Sequence, residues 1–332
     1  MQNSTTPAQY ILILIDMVER EGCDRQKLLA GTALAETELA SIGARINDTD
    51  FNQLVLNAQV LTGDPALGLK LGLRLNLSAH AILGQAFMTC QDLSQAMDLF
   101  LKYCHLLASG LDLEFETIDQ QCILTLVTTP AEESSIEFAF ELLYGALITM
   151  LRGLLNAPDL ILHMEFPYPE PAHSAFYYEV LGPDIHFDSF QGRILFHRDL
   201  LDTPLPSSNP VLRNLYEAEC ARLLADLEEG LSAAEQTLRL LRKLEGQYPQ
   251  MPQIANMLNL SARTYRRRLD DEQQSFQKLL DQVRSEHATR YLQNTRLPLS
   301  TIAYMVGFSD ASNFRRAYIK WTGTSPRKVR HG

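Results

Sequence analysis

Apolar residues recur every three or four positions along the first 75 residues, which is the period of an amphipathic helix. The run DFNQLVLNAQVLTGDPALGLKLGLRLN (50–76) has this spacing on both sides of Gly63-Asp64-Pro65, a sequence typical of a turn. The run SQAMDLFLKYCHLLASG (94–110) has the same period and ends at a glycine, which often terminates a helix. The pattern predicts helices in both stretches.

The period then changes to the alternation that is typical of half-buried strands. In LDLEFETIDQQCILTLVTT (111–129), apolar and polar side chains alternate on both sides of Asp119-Gln120-Gln121, which predicts a β-hairpin. Two later segments, LILHMEFPYPEP (160–171) and IHFDSFQGRILF (185–196), predict further strands separated by a helix near HSAFYYEVLG.

Residues 134–155, SSIEFAFELLYGALITMLRGLL, form the most apolar long segment of the chain. This composition predicts a buried helix, with Ser134 or Ser135 as its N-cap. Helices and strands therefore mix throughout the region 1–200, and the expected fold of this region is an α+β domain.

The C-terminal region contains the same pattern twice. IANMLNLSARTYRRRL (254–269) and IAYMVGFSDASNFRRAY (302–318) share four residues at an offset of 48 positions, namely Ile254, Ala255, Met257 and Ser261 with Ile302, Ala303, Met305 and Ser309. One extra residue in the second copy then aligns Tyr265-Arg266-Arg267 with Phe314-Arg315-Arg316. A repeated period of this kind indicates two duplicated units in an all-α domain.

Each copy has the sequence features of a helix-turn-helix unit. Asn259 and Gly307 occupy the turn, and both residue types tolerate the left-handed backbone that a tight turn needs. Ser261 and Ser309 follow two residues later and are expected to be the N-caps of the second helices. We therefore predict two helix-turn-helix units.

The second helix of each unit is expected to have one apolar and one polar face. Tyr265 and Phe314 lie on the apolar steps and are expected to pack inward. The polar face carries side chains that bond base edges or phosphates in DNA complexes. These candidate DNA-binding residues are Arg263, Thr264, Arg266, Arg267, Ser312, Asn313, Arg315 and Arg316. The alternative is that these helices form an arginine-rich surface with no partner. This interpretation is the weaker one, because the same turn and cap residues occur in two copies.

A helix is predicted between the two units, in SFQKLLDQVRSEHATRYLQNT (275–295). About 20 helical residues span roughly 30 Å, and one turn of duplex DNA is about 34 Å long. A linker helix of this length would hold two recognition helices in successive major grooves. His287 lies within it and is interpreted as structural.

Charge supports this division of the chain. The formal net charge is −11, yet the region from Leu231 onward has 17 Lys and Arg against 8 Asp and Glu, a balance of +9. Residues 1–230 have 12 against 32, a balance of −20. An acidic body with a basic C-terminal third is expected to meet a polyanion through that third only. The proline-rich segment 200–212 and a leucine-rich helix from about residue 211 place the domain boundary near residue 230.

The C-terminal region closely resembles the signature of AraC-family transcription regulators. HATRYLQNTRLPLSTIAYMVGFSDASNFRRAYIKWTGTSPRKVR (287–330) has a nearly complete IA..VGFSD.SNF.RA....G.SP..R pattern, and 260–284 matches the family's first unit. One departure is the pair Gln273-Gln274, because a glycine is usual just before the Ser-Phe that follows. The resemblance implies that residues 231–332 bind promoter DNA sequence-specifically.

The N-terminal region looks like the larger, non-cupin ligand-binding domain of one AraC subgroup, through LTGDPALGLKLG and LGPDIHFDSFQGRILFHRDLLDTPL. This resemblance implies that residues 1–230 bind a small effector and form a homodimer, and that the protein activates transcription through contact with RNA polymerase. No effector-binding residue is assigned from the sequence. The apolar segment 134–155 and the small number of charged residues expected in the core favour an apolar or mixed effector, such as a fatty acid. An amino-acid-type metabolite is the alternative effector.

No catalytic, metal or cofactor pattern accompanies these features. Eight scattered histidines have no short ligand spacing, and the five cysteines are widely separated, as in a reduced cytoplasmic protein. The N-terminal apolar run is too short to span a membrane. Two alternatives remain: an effector-independent dimerising regulator, and an enzyme joined to a DNA-binding tail. His80, Tyr103 and His105 are isolated polar residues that would line a pocket or, more simply, belong to the core.

Overall fold

The computed structural model describes most of the 332 residues, namely 5–34, 39, 44–127, 136–229, 231–244, 246 and 248–331. The predicted caps Ser134 and Ser135 lie outside these residues. The chain divides into two compact units between Asp226 and Leu227. We call them the N-terminal and C-terminal units and describe each by itself.

The N-terminal unit mixes helices with two sheets. Its helices are α1 (Ala8–Arg20), α2 (Arg25–Leu28), α3 (Asp48–Thr62), α4 (Leu67–Arg74), α5 (Ala81–Met88), α6 (Leu93–Tyr103), α7 (Ile136–Leu155), α8 (Ser174–Leu181) and α9 (Pro210–Glu229), whose last three residues lie past the boundary. Three short 3₁₀ helices cover Leu77–His80, Cys104–Leu106 and Arg198–Asp202. The strands are β1 (Thr5–Pro7), β2 (Arg45–Asn47), β3 (Asp112–Ile118), β4 (Gln121–Val127), β5 (His163–Glu165), β6 (Ile185–His186) and β7 (Gly192–His197). The predicted α+β fold is confirmed.

The larger sheet has five strands in the order β3-β4-β7-β5-β6. The predicted hairpin is its β3-β4 pair, in which Ile118 pairs with Gln121 across a turn that holds Asp119 at φ 54°. The segment 185–196, predicted as one strand, divides into β6 and β7, which lie on either side of β5. β5 pairs parallel with β6 and antiparallel with β7.

A second, two-stranded sheet corrects the prediction that the first 75 residues are helical. β1 and β2 pair antiparallel, with Thr6 opposite Ile46. Each strand is three residues long, too short for an alternating pattern to emerge from the sequence. Arg45 ties the pair to the body of the unit, because its guanidinium donates to the carbonyl oxygen of Leu106 over 2.6 Å.

Helix α7 of the N-terminal unit packs closely on α4. Two glycines allow this approach: a Cβ added at Gly72 would lie 2.5 Å from the Leu142 carbonyl oxygen, and one at Gly145 would lie 3.1 Å from the Cα of Gly72. Within the described residues, α7 is also the one helix long and apolar enough to cross a membrane. More than half of that window, 56%, is buried against the protein, as in the core helix of a globular domain.

All regular secondary structure in the described residues of the C-terminal unit is helical, as predicted. Its helices are α10 (Ala233–Lys243), α11 (Met251–Met257), α12 (Ala262–Asp271), α13 (Phe276–Asn294), α14 (Leu299–Met305), α15 (Ala311–Thr322) and α16 (Pro326–His331). Two buried clusters form its core: α10, α11 and α12 pack on the first part of α13, and α14 and α15 pack on the last part. Each cluster corresponds to one copy of the repeated pattern.

Candidate nucleic-acid interface

The first helix-turn-helix unit consists of α11 and α12. Its turn is closed by the backbone N–H of Leu260, which donates to the carbonyl oxygen of Ala255 over 2.8 Å. Asn259 takes φ 54° in this turn, the left-handed conformation that its sequence position predicted. The hydroxyl of Ser261 then accepts the backbone N–H of Thr264 over 3.1 Å and caps α12, also as predicted.

The second unit, α14 and α15, repeats the same turn 48 positions later. The backbone N–H of Phe308 donates to the carbonyl oxygen of Ala303 over 2.8 Å, and Gly307 takes φ 80°. Ala303 and its counterpart Ala255 are both buried between the two helices of their units. A larger side chain at either position would separate those helices. The duplication inferred from the sequence is therefore a duplication of backbone geometry.

The cap of α15 differs from the prediction. Asp310, not Ser309, is the N-cap residue, and its carboxylate accepts the backbone N–H groups of Ser312 and Asn313 over 2.9 and 2.8 Å. Both bonds lower the pKa of Asp310, and the bond from the Asn313 backbone has the larger effect. The extra residue of the second copy lies between the turn and the cap, so the cap moves from an offset of 48 to 49 positions.

The inward face of each recognition helix is fixed by an aromatic residue and a second residue four positions later. Tyr265 and Leu269 are buried in α12, and Phe314 and Tyr318 are buried in α15. The tyrosine hydroxyls have partners, because Tyr265 lies 2.5 Å from the Thr237 hydroxyl and Tyr318 bonds Thr289 over 2.7 Å. These buried hydrogen bonds fix the rotation of each helix about its axis, and hence which residues face outward.

The predicted DNA-binding residues lie on the outward faces. Thr264 is half-buried, and the exposed ones are Arg263, Arg266, Arg267, Ser312, Asn313, Arg315 and Arg316. The structure thus brings the predicted set together as two polar faces, one on α12 and one on α15. Arg268 is also exposed on α12 and was not among the predicted residues. Arg268 directly follows Arg266-Arg267, and this run of three arginines could have identified it as a further candidate.

Two of these side chains already bond within their own helix. The amide of Asn313 donates to the Asp310 carboxylate, and its oxygen accepts Arg316 Nη2 over 2.6 Å. Arg316 is therefore held over the first turn of α15 before any ligand binds. Arg315 makes no side-chain hydrogen bond or ion pair with the described residues, which leaves its guanidinium available.

Helix α13 connects the two units. Its 19 residues span about 29 Å at about 1.5 Å per residue. Arg242 pairs with Glu286 of this helix through two bonds of 2.9 and 3.0 Å, and the Tyr248 hydroxyl lies 2.8 Å from His287 Nδ1. His287 is buried, in agreement with its interpretation as structural. Several bonds therefore hold α13 to the elements before it.

The N-terminal unit contains a buried polar cluster on α7. Glu141 is 1% exposed, and one of its oxygens accepts Tyr177 and lies 2.6 Å from His173 Nε2. Burial raises the pKa of Glu141, and the bond from His173 opposes this shift. The backbone N–H of Leu69 donates to the other oxygen over 3.2 Å. Sequence reasoning missed this cluster, since the partners of Glu141 all lie 32 residues or more from it in the chain.

Of the three isolated polar residues named from the sequence, two are buried. His80 is 6% exposed and lies 2.7 Å from the Tyr10 hydroxyl and 3.2 Å from the Leu75 carbonyl oxygen. Tyr103 is 1% exposed and lies beneath Lys102, whose nitrogen is 5.0 Å from its ring centre. His105 is half-buried. His80 contacts Tyr10 and Leu75, whereas Glu141 contacts Tyr177, His173 and Leu69, so these two buried polar groups have different partners.

Comparison with known proteins adds two family matches that divide the chain. Residues 22–205 match the arabinose-binding domain of AraC transcription regulators, and residues 254–332 match a helix-turn-helix domain. The second match covers both repeated units described above. The first covers the described five-stranded sheet and the buried polar cluster.

Two curated relatives and one solved structure are similar over nearly the whole chain. An ornithine utilization regulator of Pseudomonas aeruginosa is 37% identical over 326 residues, 98% of this chain and 96% of the relative. An uncharacterised HTH-type transcriptional regulator of Mycobacterium tuberculosis is 26% identical over 96% of this chain and 94% of its own length. The crystal structure of the transcriptional regulator CdpR from P. aeruginosa covers 97% of this chain and 98% of its own, with 19% identity and a TM-score of 0.47.

Proposed function

Because the chain belongs to the AraC family of transcription regulators, we propose that residues 231–332 read a promoter sequence through α12 and α15 in successive major grooves. The observation that carries this proposal is the repeated geometry: two turns of the same form each present a polar face with arginines. Arg263, Thr264, Arg266, Arg267, Ser312, Asn313, Arg315 and Arg316 are the proposed contacts.

The charge of each part supports this proposal. The region from Leu231 has a balance of +9, which favours a polyanionic partner, and residues 1–230 have a balance of −20, which repels it. We therefore expect DNA to contact the basic part of the chain and not the acidic part.

Selection of bound duplexes from a random library by the full chain tests the proposal. We expect two conserved blocks whose centres lie about 10 base pairs apart, one turn of the duplex. Arg267→Ala should relax one block and Arg316→Ala the other, each by about 1–3 kcal/mol of base discrimination. Equal weakening on all duplexes by both variants would mean that these arginines bond phosphates. Retention of all sequences without enrichment would overturn specific reading.

For the effector of the N-terminal unit we propose an amino-acid-type metabolite. The relative named for ornithine utilization covers this unit at 37% identity overall, and this supports an amino acid over a fatty acid. An effector regulates only if it binds one arrangement of the protein better than another. Binding in the N-terminal unit would thus change DNA affinity.

Thermal unfolding of the full chain with ornithine, lysine or oleate distinguishes the classes. We expect ornithine or lysine to raise the unfolding midpoint and oleate to leave it unchanged. A ligand that binds the native state stabilises that state. A rise with oleate alone would favour an apolar effector. No rise with any of them, together with unchanged DNA affinity, would favour the effector-independent regulator.

We further propose a homodimer that acts in the cytoplasm and activates transcription by contact with RNA polymerase. Val211 and Leu215 support the dimer, because they are 78% and 62% exposed one turn apart on α9. Val211→Glu with Leu215→Glu should give a monomer by light scattering, whereas Val60→Glu, on an equally exposed site of α3, should leave a dimer. Run-off transcription from a promoter with the selected site tests activation.

The N-terminal unit is proposed to act by binding and not by catalysis. The curated relatives are named as regulators, and this supports a sensing role. The alternative, an enzyme joined to a DNA-binding tail, predicts chemical conversion of the effector. Mass analysis of ornithine incubated with the full chain separates the two: an unchanged mass supports sensing, and a product supports the enzyme.

A further inference from the structure

Two histidines and two carboxylates lie together at an edge of the five-stranded sheet. Strands β5 and β6 run parallel there, with Met164 opposite Ile185. These two residues are buried, and successive side chains of a strand point to opposite faces. The residues on either side of them therefore share the other face of the sheet, namely His163, Glu165, Asp184 and His186.

Three of these side chains converge on one point. His163 Nδ1 lies 2.9 Å from Asp184 Oδ1, and His186 Nε2 lies 3.4 Å from the same oxygen. The ligand atoms of His163, Asp184 and His186 all lie within 4.8 Å of one another. In a tetrahedral zinc site with bonds of about 2.0–2.1 Å, ligand atoms lie about 3.3 Å apart. The two separations from Asp184 are thus close to those of a metal site.

The carboxylate of Glu165 orients the ring of His163. Glu165 Oε1 lies 3.4 Å from His163 Nε2, the ring nitrogen that does not face Asp184. Glu165 is itself fixed by Arg193, which donates two hydrogen bonds of 2.5 and 3.0 Å. A histidine that ligates a metal through one nitrogen almost always donates its other N–H to a carboxylate or carbonyl. Glu165 is therefore placed to accept the N–H of a metal-bound His163.

We propose that His163 Nδ1, Asp184 Oδ1 and His186 Nε2 bind a divalent transition-metal ion such as Zn²⁺, Co²⁺ or Ni²⁺, with Glu165 as a positioning residue. Imidazole nitrogen is a preferred donor for these ions. Three protein ligands leave one position for water or an external donor. The short-range spacing rules applied to the sequence do not detect this set, because His163 lies 21 residues before Asp184 and 23 before His186.

Titration calorimetry with Zn²⁺ on the full chain, after removal of metal by a chelator, tests the proposal. We expect one equivalent per chain, and a loss of affinity of at least about tenfold in His163→Ala and in His186→Ala. Glu165→Gln should weaken binding by about ten- to a hundredfold and leave the stoichiometry at one. Thermal unfolding without metal, which we expect to be unchanged in the exposed His186→Ala variant, excludes loss of folding as the cause.

His197→Ala is the matched control, because His197 lies on β7 of the same sheet and faces a single carboxylate, Asp199, over 3.3 Å. It should bind Zn²⁺ like the unaltered chain. Co²⁺ provides a second readout, since the chain also has five free cysteines. Cobalt d–d bands in the visible range, without thiolate charge-transfer bands in the near ultraviolet, support the site. No binding, an equal loss in His197→Ala, or a thiolate spectrum would overturn it.

Discussion

The guanidinium carbon of Arg284 lies 5.3 Å from the centre of the Phe308 ring, which joins the linker helix to the turn of the second helix-turn-helix unit. The same carbon lies 5.0 Å from the Tyr248 ring, which precedes the first unit's α11. Burial lowers the pKa of Arg284, so desolvation is the main influence on this cation. Arg284 therefore contacts two aromatic faces, that of Phe308 in the second helix-turn-helix unit and that of Tyr248 in the segment before the first one.

We expect Arg284→Ala to loosen the spacing of the two recognition helices. Desolvated cation–π contacts contribute up to about 2 kcal/mol, so the variant should lose roughly tenfold or more in affinity for the selected DNA site. It should also tolerate a site whose blocks are separated by one more base pair, which the unaltered chain should reject. Fluorescence anisotropy with the two duplexes measures both effects.

Gln282→Ala is the control for this prediction, since Gln282 is exposed on the same helix and bonds only Glu286 among the described residues. It should keep both the affinity and the spacing preference. Equal affinity loss on both duplexes in Arg284→Ala would instead indicate that Arg284 contacts a phosphate.

Gln273 occupies a backbone conformation that favours glycine. It takes φ 56° in the turn between α12 and α13. A left-handed conformation costs a residue with a Cβ roughly 1–2 kcal/mol. Gln273→Gly should therefore raise the stability of the C-terminal unit by about 1 kcal/mol in urea unfolding followed by Trp321 fluorescence.

Its neighbour provides the comparison. Gln274 lies in the same turn without a positive φ, and its backbone N–H donates to the carbonyl oxygen of Leu269 over 2.8 Å. Gln274→Gly should lower stability, because it adds freedom to the unfolded chain and relieves no strain. If both glycines stabilise equally, the positive φ is not the cause.

Much of the C-terminal unit was predictable because its determinants are local. The turn bond from Leu260 to Ala255 joins residues five positions apart, and the pattern of small, turn and cap residues records it in the sequence. The cap Asp310 was missed since a one-residue insertion can be placed on either side of Ser309, and only backbone geometry decides between them.

The N-terminal unit was less predictable, because its polar groups meet through tertiary contacts. Glu141 meets Tyr177 from 36 positions away, and His163 meets Asp184 from 21 positions away across a parallel strand pair. Hydrophobic period predicted the hairpin and helix α7, because the apolar residues of each are close together in the chain. It gives no information on which polar side chains of distant elements face one another.

The contact between α4 and α7 makes Gly72 intolerant of substitution. A Cβ there would lie 2.5 Å from the backbone oxygen of Leu142 and 3.0 Å from the backbone nitrogen of Ala146, so the helices would have to separate. Overpacking of this kind costs about 1–3 kcal/mol. Gly72→Ala should lower the stability of the full chain by that amount in urea unfolding followed by circular dichroism.

Gly153 is the matched control on α7. A Cβ there meets only the Leu77 side chain, at 3.5 Å, which is ordinary contact. Gly153→Ala should be neutral or stabilising by up to about 1 kcal/mol, because alanine favours the helix. A similar loss in both variants would show that helix α7 tolerates no added methyl group, and that close packing at Gly72 is not special.

The buried His80 should make the N-terminal unit sensitive to acid. Burial lowers the pKa of His80 to about 4, and the bond to the Leu75 carbonyl oxygen opposes this shift weakly. The unfolded chain, with a pKa of about 6.5, therefore binds the proton more readily than the folded one. The stability from a neutral His80 is complete above about pH 6.5 and is lost as the pH falls toward 4.

Unfolding free energies at about pH 7 and about pH 5 test this expectation, since each unit of pKa difference is worth about 1.4 kcal/mol. The unaltered chain should lose roughly 2 kcal/mol more than His80→Gln between the two conditions, because glutamine does not titrate there. The difference between the two chains cancels the contribution of every other titrating group. Parallel losses in both chains would mean that His80 binds its proton equally in the folded and unfolded states.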